Sequence, residues 1–279
     1  MSRYKEIISV INDDLVIFER ELTEGINYPD NALFELINAP AKRIRAVLAI
    51  LYVKMFAQNI TNMQYNLLTA VELAHTASLI HDDIVDFDNK RREMQTISAK
   101  FGDKIGVLTG DYLLSLALQR IISLRDDKIT EDFLNTFSNM AQGEINQFFS
   151  HGEIPNLDDY IKKTKAKTAG LFCSALINSA KICGLNMDIA HKIGENFGIA
   201  FQIKNDLDNV LTTKTDINNG IYTAPVIFSK GIEVTQNGIS QTKSLINEYI
   251  KKAEKALAMC PCNKYNEAIE DILELYKYD

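Results

Sequence analysis

Proline and glycine are scarce in this chain, with 5 and 13 among 279 residues, below the roughly 5% and 7% of an average protein. The prolines are Pro29, Pro40, Pro155, Pro225 and Pro261. Residues 41–154 and 156–224 therefore lack the residue that most reliably stops a helix, and long helices are permitted there. Basic charge is also in deficit: 30 Lys and Arg stand against 37 acidic residues, a formal charge of −7. Neutralising many phosphates needs a net basic surface, so a nucleic-acid binder is excluded. The four cysteines, Cys173, Cys183, Cys260 and Cys262, are too few and irregular for a disulfide framework. Cys260-Pro261-Cys262 has no second pair to complete a zinc site, so reduced, structurally incidental thiols are expected. The apolar runs Ala46–Val53 and Ala169–Ala180 are too short or too polar for the ~20 residues of a bilayer span. The opening MSRYKEIISVINDD lacks the apolar core and small-residue cleavage site of a secretory signal. A soluble cytoplasmic protein without a membrane span is the expectation.

With 46% hydrophobic residues the chain can bury a large core, and global disorder is ruled out. Its periodicity is helical: Leu67, Val71, Ala74 and Ser78 make one stripe, and Leu108, Tyr112, Ser115 and Leu116 suggest another. Alternating β-branched runs are scarce. Loop signals fall at Tyr28–Asp30, Asn38–Pro40, Phe101–Gly110, His151–Asn156, Thr212–Gly220 and Gly231–Gly238. Nothing reads as a repeat, linker or domain boundary. One all-α domain of about ten helices spanning 1–279 follows.

Leu79-Ile-His-Asp-Asp-Ile-Val-Asp86 sets three carboxylates in a strongly apolar helix. Asp82 and Asp86 are one turn apart on one face, with Asp83 beside Asp82. Carboxylates so crowded repel one another unless a cation sits among them. Oxygen-only ligands favour Mg²⁺, which completes its shell with water and substrate phosphates. Arg91 and Arg92 follow within two turns, so cations and carboxylates converge as a metal-bridged diphosphate requires. An exposed acidic helix end is the plain alternative. Glu72-Leu-Ala-His75 has the Glu-x-x-His spacing of di-iron bundles, but no second such unit occurs in the chain.

Basic residues gather at Lys42-Arg43-Ile44-Arg45 after Pro40, where a helix start would put Lys42 and Arg45 on one face and add its own pull on a phosphate. They gather again at Lys162-Lys163-Thr-Lys165-Ala-Lys167-Thr168. Most of those lysines read as surface, and Lys167 is the exception because it lies against the apolar run Ala169–Leu176. A polar face follows at Gln202, Asn205, Asp206 and Asn209, spaced i, i+3, i+4 and i+7. Facing the first acidic helix, it would give a cavity walled by carboxylates and capped by cations.

These motifs together resemble the trans-prenyl (polyprenyl) diphosphate synthase family, from about residue 40 to 228. His81–Arg92, HDDIVDFDNKRR, is similar to the family's first aspartate-rich motif. Phe101–Leu114, Gly143-Glu-Ile-Asn-Gln147, Lys167-Thr168 and Phe201-Gln202 follow in the family's order. The resemblance implies an all-helical, isoprenoid-synthase-like bundle around a deep central cavity, dimeric, with three Mg²⁺ ions. It implies head-to-tail condensation of isopentenyl diphosphate with an allylic diphosphate. By position Asp82, Asp86, Asn205 and Asp206 would hold metal. Asp82, Asp83, Asp86, Arg91 and Lys167 would carry catalysis. Lys42, Arg45, His75 and Arg92 would hold isopentenyl diphosphate, and Arg91 and Lys167, with Thr168 and Gln202, the allylic one.

The chain departs from the pattern in three places. Ala41 stands where a Gly is usual. The second motif, normally DDxxD, reads Asn205-Asp206-Leu207-Asp208-Asn209. The following loop is short, and GKxTLP reads Gly220-Ile-Tyr-Thr-Ala-Pro225, leaving Lys204 and Lys214 as candidates for two missing lysines. A weakly active or non-catalytic subunit of a heteromeric synthase is one alternative, and a farnesyl diphosphate synthase another. A terpene cyclase would want Ser and Glu where Asn209 and Thr213 stand. Ala77 and Ser78, both small, lie one turn before Asp82 where farnesyl-producing members place an aromatic. A product of geranylgeranyl length or longer is expected, stopped near Leu114, Leu118 or Phe148.

Overall fold

Five long helices set the architecture: α4 (Asn62–Val85), α6 (Asp103–Ser123), α7 (Asp127–Phe149), α10 (Met187–Leu211) and α13 (Gln236–Leu257). The computed structural model describes residues 2–24, 26, 34–35, 39, 41–91 and 94–278. Between them run α1 (Ser2–Ile8), α2 (Asn12–Thr23), α3 (Ile44–Lys54), α5 (Ile97–Phe101), α8 (Leu157–Thr164), α9 (Gly170–Ile182), α11 (Thr215–Asn218), α12 (Ala224–Ser229) and α14 (Lys264–Glu274). The strand content among the described residues is one two-residue hairpin, β1 (Lys90–Arg91) against β2 (Met94–Gln95). The chain is all-α, as its periodicity requires.

Side chains fix the helix starts. Thr61 accepts from the Gln64 N–H while the Gln64 side chain accepts from the Thr61 N–H, a reciprocal cap that opens α4. Asp126 accepts from the Lys128 and Ile129 N–H groups at the head of α7, both at 3.0 Å, and Asn186 does the same for α10. The core contains α3 whole, from Ile44 to Val53, together with the inner faces of α4, α9 and α10. Phe172, Phe197, Phe201 and Tyr276 meet edge-on or tilted in it, with ring centroids 5.1–6.1 Å apart.

Two close approaches position the polar residues. Helix α6 runs back along α4, and Gly110 lies so near the His81 ring that any Cβ there would collide with it. Across the core, a Cβ on Gly198 of α10 would lie 2.7 Å from the Ala169 Cα, so α10 presses directly on the turn before α9. The segment Phe101–Gly110, which reads as a loop in the sequence, is helical on both sides of Gly102, whose φ of 86° makes the break. Thr212–Gly220 likewise contains the short α11. The loop signals at Tyr28–Asp30 and at Asn38 and Pro40 lie outside the described residues.

Helix α6 is long and apolar enough to cross a membrane by length and composition. Its inward residues Thr109, Leu113, Ala117 and Ile121 are buried, as in a core helix. Its Leu108 and Ile122 are 55% and 64% exposed, and on the neighbouring α7 Leu134 and Ile145 are 48% and 51% exposed. The second apolar stripe of the sequence therefore faces outward. Phe148 is 70% exposed at the end of α7, so it forms no buried floor.

Candidate functional site

Helix geometry sorts the three carboxylates of α4 to different sides. Asp83 turns toward the hairpin, where one of its oxygens accepts from Arg91 Nε and Nη2, both at 2.6 Å. Arg91 is thus engaged by its own motif rather than held open for a diphosphate. Arg92 lies outside the described residues. Asp82 turns inward, where burial pushes its carboxyl up to about 6 against the pull of Lys167, with Glu144 and Asp86 adding repulsion. Burial raises Asp86 as well, and again Lys167 opposes it.

Lys167 reaches these carboxylates from a five-residue π-helical turn, Lys165–Ala169, inserted between α8 and α9. Its ammonium is ion-paired with Glu144 of α7. Lys163, one helical turn earlier, is half-buried and senses Lys167, Asp206, Glu144 and Asp216. The sequence reads it as surface; it lies near the end of α8, just before the π turn. Glu144 falls in a stretch that the family resemblance singles out, but nothing in the sequence assigns it a partner.

The second wall is α10. Thr168 donates to the Gln202 carbonyl at 2.8 Å, Gln202 donates to Asp206 at 2.7 Å, and the buried Tyr160 hydroxyl donates to the other Asp206 oxygen at 2.5 Å. Asp206 is therefore held by neutral donors, which lower its pKa, while burial raises it by more. The four-residue polar face splits on folding. Gln202 and Asp206 point inward, Asn205 is exposed, and Asn209 Oδ1 accepts from the Asp216 N–H at 3.2 Å. That bond ties α11 to α10 and brings in Asp216, whose carboxyl is pushed up to about 6 by burial and then by Asp206, against Lys167. No helical spacing links Asp216 to Asp206, so periodicity could not reveal it. Tyr160 was equally hidden, on a helix whose sequence signal is its charge.

The basic cluster after Pro40 also departs from expectation. Helix α3 starts at Ile44, with Arg43 at φ 49° before it, so Lys42 precedes the helix. Lys42 is exposed, 6.0 Å above the Tyr276 ring. Arg45 is buried against Phe172, 4.7 Å from the ring centroid, and its Nε has no hydrogen-bond partner. Lying in the core, it is not presented to a substrate in this structure. Arg43 is also buried, 8% exposed, and donates to Glu72 and Glu19, both at 3.0 Å. It lines a cavity of about 90 Å³ with His75, Asp83 and Arg91. Glu72, held by Arg43 and 3% exposed, is unavailable as a di-iron ligand. Lys204 turns to the Tyr278 ring at 3.9 Å, near Lys243 and Lys42, and so sits on the Lys42 side. Lys214, at φ 55°, opens α11.

Ala77 is fully buried on the α4 stripe that continues to His81 against α6. Ser78 is half-buried and shares Asp82's face, one turn earlier. The larger cavity, about 570 Å³, opens between α7 and α8 and is lined by Gly143, Gln147, Tyr160, Lys163 and Ile221, among others. Two opposed polar walls, lysines between them and an apolar core behind make an arrangement that can hold a multivalent anion.

Comparison with known proteins agrees. The polyprenyl synthetase family model matches residues 28–260. This chain belongs to the polyprenyl synthetase family. Heptaprenyl diphosphate synthase component 2 of Bacillus subtilis (strain 168) is 34% identical over 172 residues, covering 60% of this chain and 49% of that protein. Decaprenyl-diphosphate synthase of Dictyostelium discoideum is 32% identical over 148 residues, 53% of this chain and 32% of that protein. The chain thus spans half or less of the length of these two relatives. The crystal structure of a polyprenyl synthase from Caulobacter crescentus CB15, complexed with calcium and isoprenyl diphosphate, superposes with a TM-score of 0.88 at 26% identity. That match covers 98% of this chain and 97% of that one.

Proposed function

We propose that this chain is a Mg²⁺-dependent trans-prenyltransferase. It joins isopentenyl diphosphate head-to-tail to an allylic diphosphate and makes geranylgeranyl diphosphate or a longer trans-polyprenyl diphosphate. The observation that carries this reading is the pair of walls: Asp82 and Asp86 face Lys167 from α4, while Asp206 and Asp216 face it from α10 and α11. These donors suit a hard divalent cation. Among the described residues no three acidic, His or Cys side chains gather closely enough to hold an ion alone. That spread suits Mg²⁺ ions, three by the family resemblance, whose shells are completed by water and phosphate oxygens. When bound, Mg²⁺ would neutralise the charge growing on the departing diphosphate.

The chain's own residues do the rest. Lys167 offers its ammonium to the allylic diphosphate, and Thr168 and Gln202 fix the near end of the α10 wall. Lys42, Arg43 and His75 stand on the isopentenyl side. The allylic cation forms against the apolar interior, where water is excluded; the isopentenyl double bond attacks it, and a proton leaves to the departing diphosphate. The small Ala77 and Ser78 leave room for a growing chain along α4. The exposed apolar faces of α6 and α7 suit a second copy of this chain, giving a homodimer. The Bacillus relative's description as "component 2" favours one rival, an unlike second subunit on that face.

Purified protein is incubated with Mg²⁺, farnesyl diphosphate and labelled isopentenyl diphosphate, and the products are separated by length. Geranylgeranyl or longer diphosphates, lost on adding EDTA, are expected. Products no longer than farnesyl from shorter primers would remove the length assignment, and no condensation by the purified protein would favour the subunit reading.

A further inference from the structure

Lys163 is a charged group without a local purpose. It is half-buried on α8 and lines the 570 Å³ cavity together with Gln147 and Tyr222. Among the described residues no carboxylate lies within ion-pair distance of it, although Asp206, Glu144 and Asp216 all act on it from farther off. Lys167, four residues on, repels it and is itself committed to Glu144. Two ammoniums forced together in a half-buried wall cost free energy in the empty protein. A bound polyanion converts that cost into attraction, since it can accept from both at once. The two lysines lie four residues apart, the spacing of neighbours on one helical face, with Lys163 on α8 and Lys167 in the π turn that follows it.

We propose that Lys163 is a second substrate-binding cation. It takes the outer phosphate of a diphosphate whose inner phosphate lies at Lys167, and it admits that diphosphate from the α7–α8 cavity. The inference rests on the prenyltransferase reading for the identity of the ligand as the allylic diphosphate. The residues also define its side: Lys42, Arg43 and His75 lie toward α3 and the hairpin, so isopentenyl diphosphate makes no use of Lys163.

The test measures Lys163→Gln and Lys163→Arg against the wild type. One arm determines KM for the allylic and the isopentenyl diphosphate separately. The other determines binding of inorganic diphosphate, with Mg²⁺ present, by calorimetry. Losing one charge-assisted hydrogen bond should raise the allylic KM and weaken inorganic diphosphate roughly tenfold or more in Lys163→Gln. The isopentenyl KM should stay as in the wild type, and Lys163→Arg should recover most of the loss. Unchanged allylic KM and diphosphate affinity in Lys163→Gln would overturn the proposal while leaving condensation intact. Equal losses for both substrates would also overturn it, since they would mark a structural role. If the wild type condensed nothing yet bound diphosphate through Lys163, the prenyltransferase reading would fall and this one would stand.

Discussion

The two acidic walls are built from the same residue types and solve opposite problems. At the end of α4, Asp82 and Asp86 are half-buried with like charges and with Lys167 shared between them, so ionising them is costly until more positive charge arrives. On α10, Asp206 receives two short hydrogen bonds from neutral donors, Tyr160 and Gln202, so its geometry is settled before anything binds. The first wall is poised and the second preorganised. The contrast also explains how the second motif tolerates Asn205 and Asn209. Asn205 faces out, and Asn209 spends its oxygen on the Asp216 N–H, which brings a different carboxylate to the wall.

Removing the poised wall should cost most. Asp82→Ala is expected to lower turnover by roughly a thousandfold with circular dichroism unchanged; near-normal activity would remove the metal assignment. A smaller effect is expected from loosening the preorganised wall. Tyr160→Phe leaves a buried carboxylate short of a partner and should destabilise the protein by about 1–3 kcal/mol, measured by urea unfolding. Part of that loss should return when Mg²⁺ and a non-reactive allylic diphosphate analogue are added, because new cations then compensate Asp206.

The smallest effect separates the walls by pH. Burial raises the Asp82 carboxyl to about 6, above its unfolded value of about 3.9. Its contribution to stability is therefore complete below about pH 4 and is lost as pH rises through the folded value. Metal-free Asp82→Asn should then melt roughly 2–4 °C above the wild type at pH 7, with the difference vanishing near pH 4. An equal advantage at both pH values would show that its surroundings do not raise the Asp82 carboxyl.

Helix class and the α4 carboxylates were legible in the sequence because both follow from spacing on one helix: Asp82 and Asp86 must share a face. What spacing could not supply is the partner across a gap. Lys163 on α8 and Lys167 on the π turn both act on Asp206 from outside its own helix. Arg43 rather than Arg45 lines the small cavity beside His75, since α3 begins at Ile44 and Arg45 packs on Phe172. Tyr160 on α8 and Asp216 on α11 reach the α10 wall from other helices, whose placement no periodicity encodes. The outward stripe on α6 was visible as periodic, but periodicity does not say whether a face meets its own core or another chain.

The most direct test of the two-wall account is to count metal ions. Mn²⁺ binding is followed by electron paramagnetic resonance, with a non-reactive allylic diphosphate analogue present, in the wild type, Asp82→Asn and Asp206→Asn. The account predicts more than one bound ion in the wild type and a weakened or lost ion in each variant. Full stoichiometry and unchanged affinity in Asp206→Asn would contradict it, because α10 would then be no wall of the metal site.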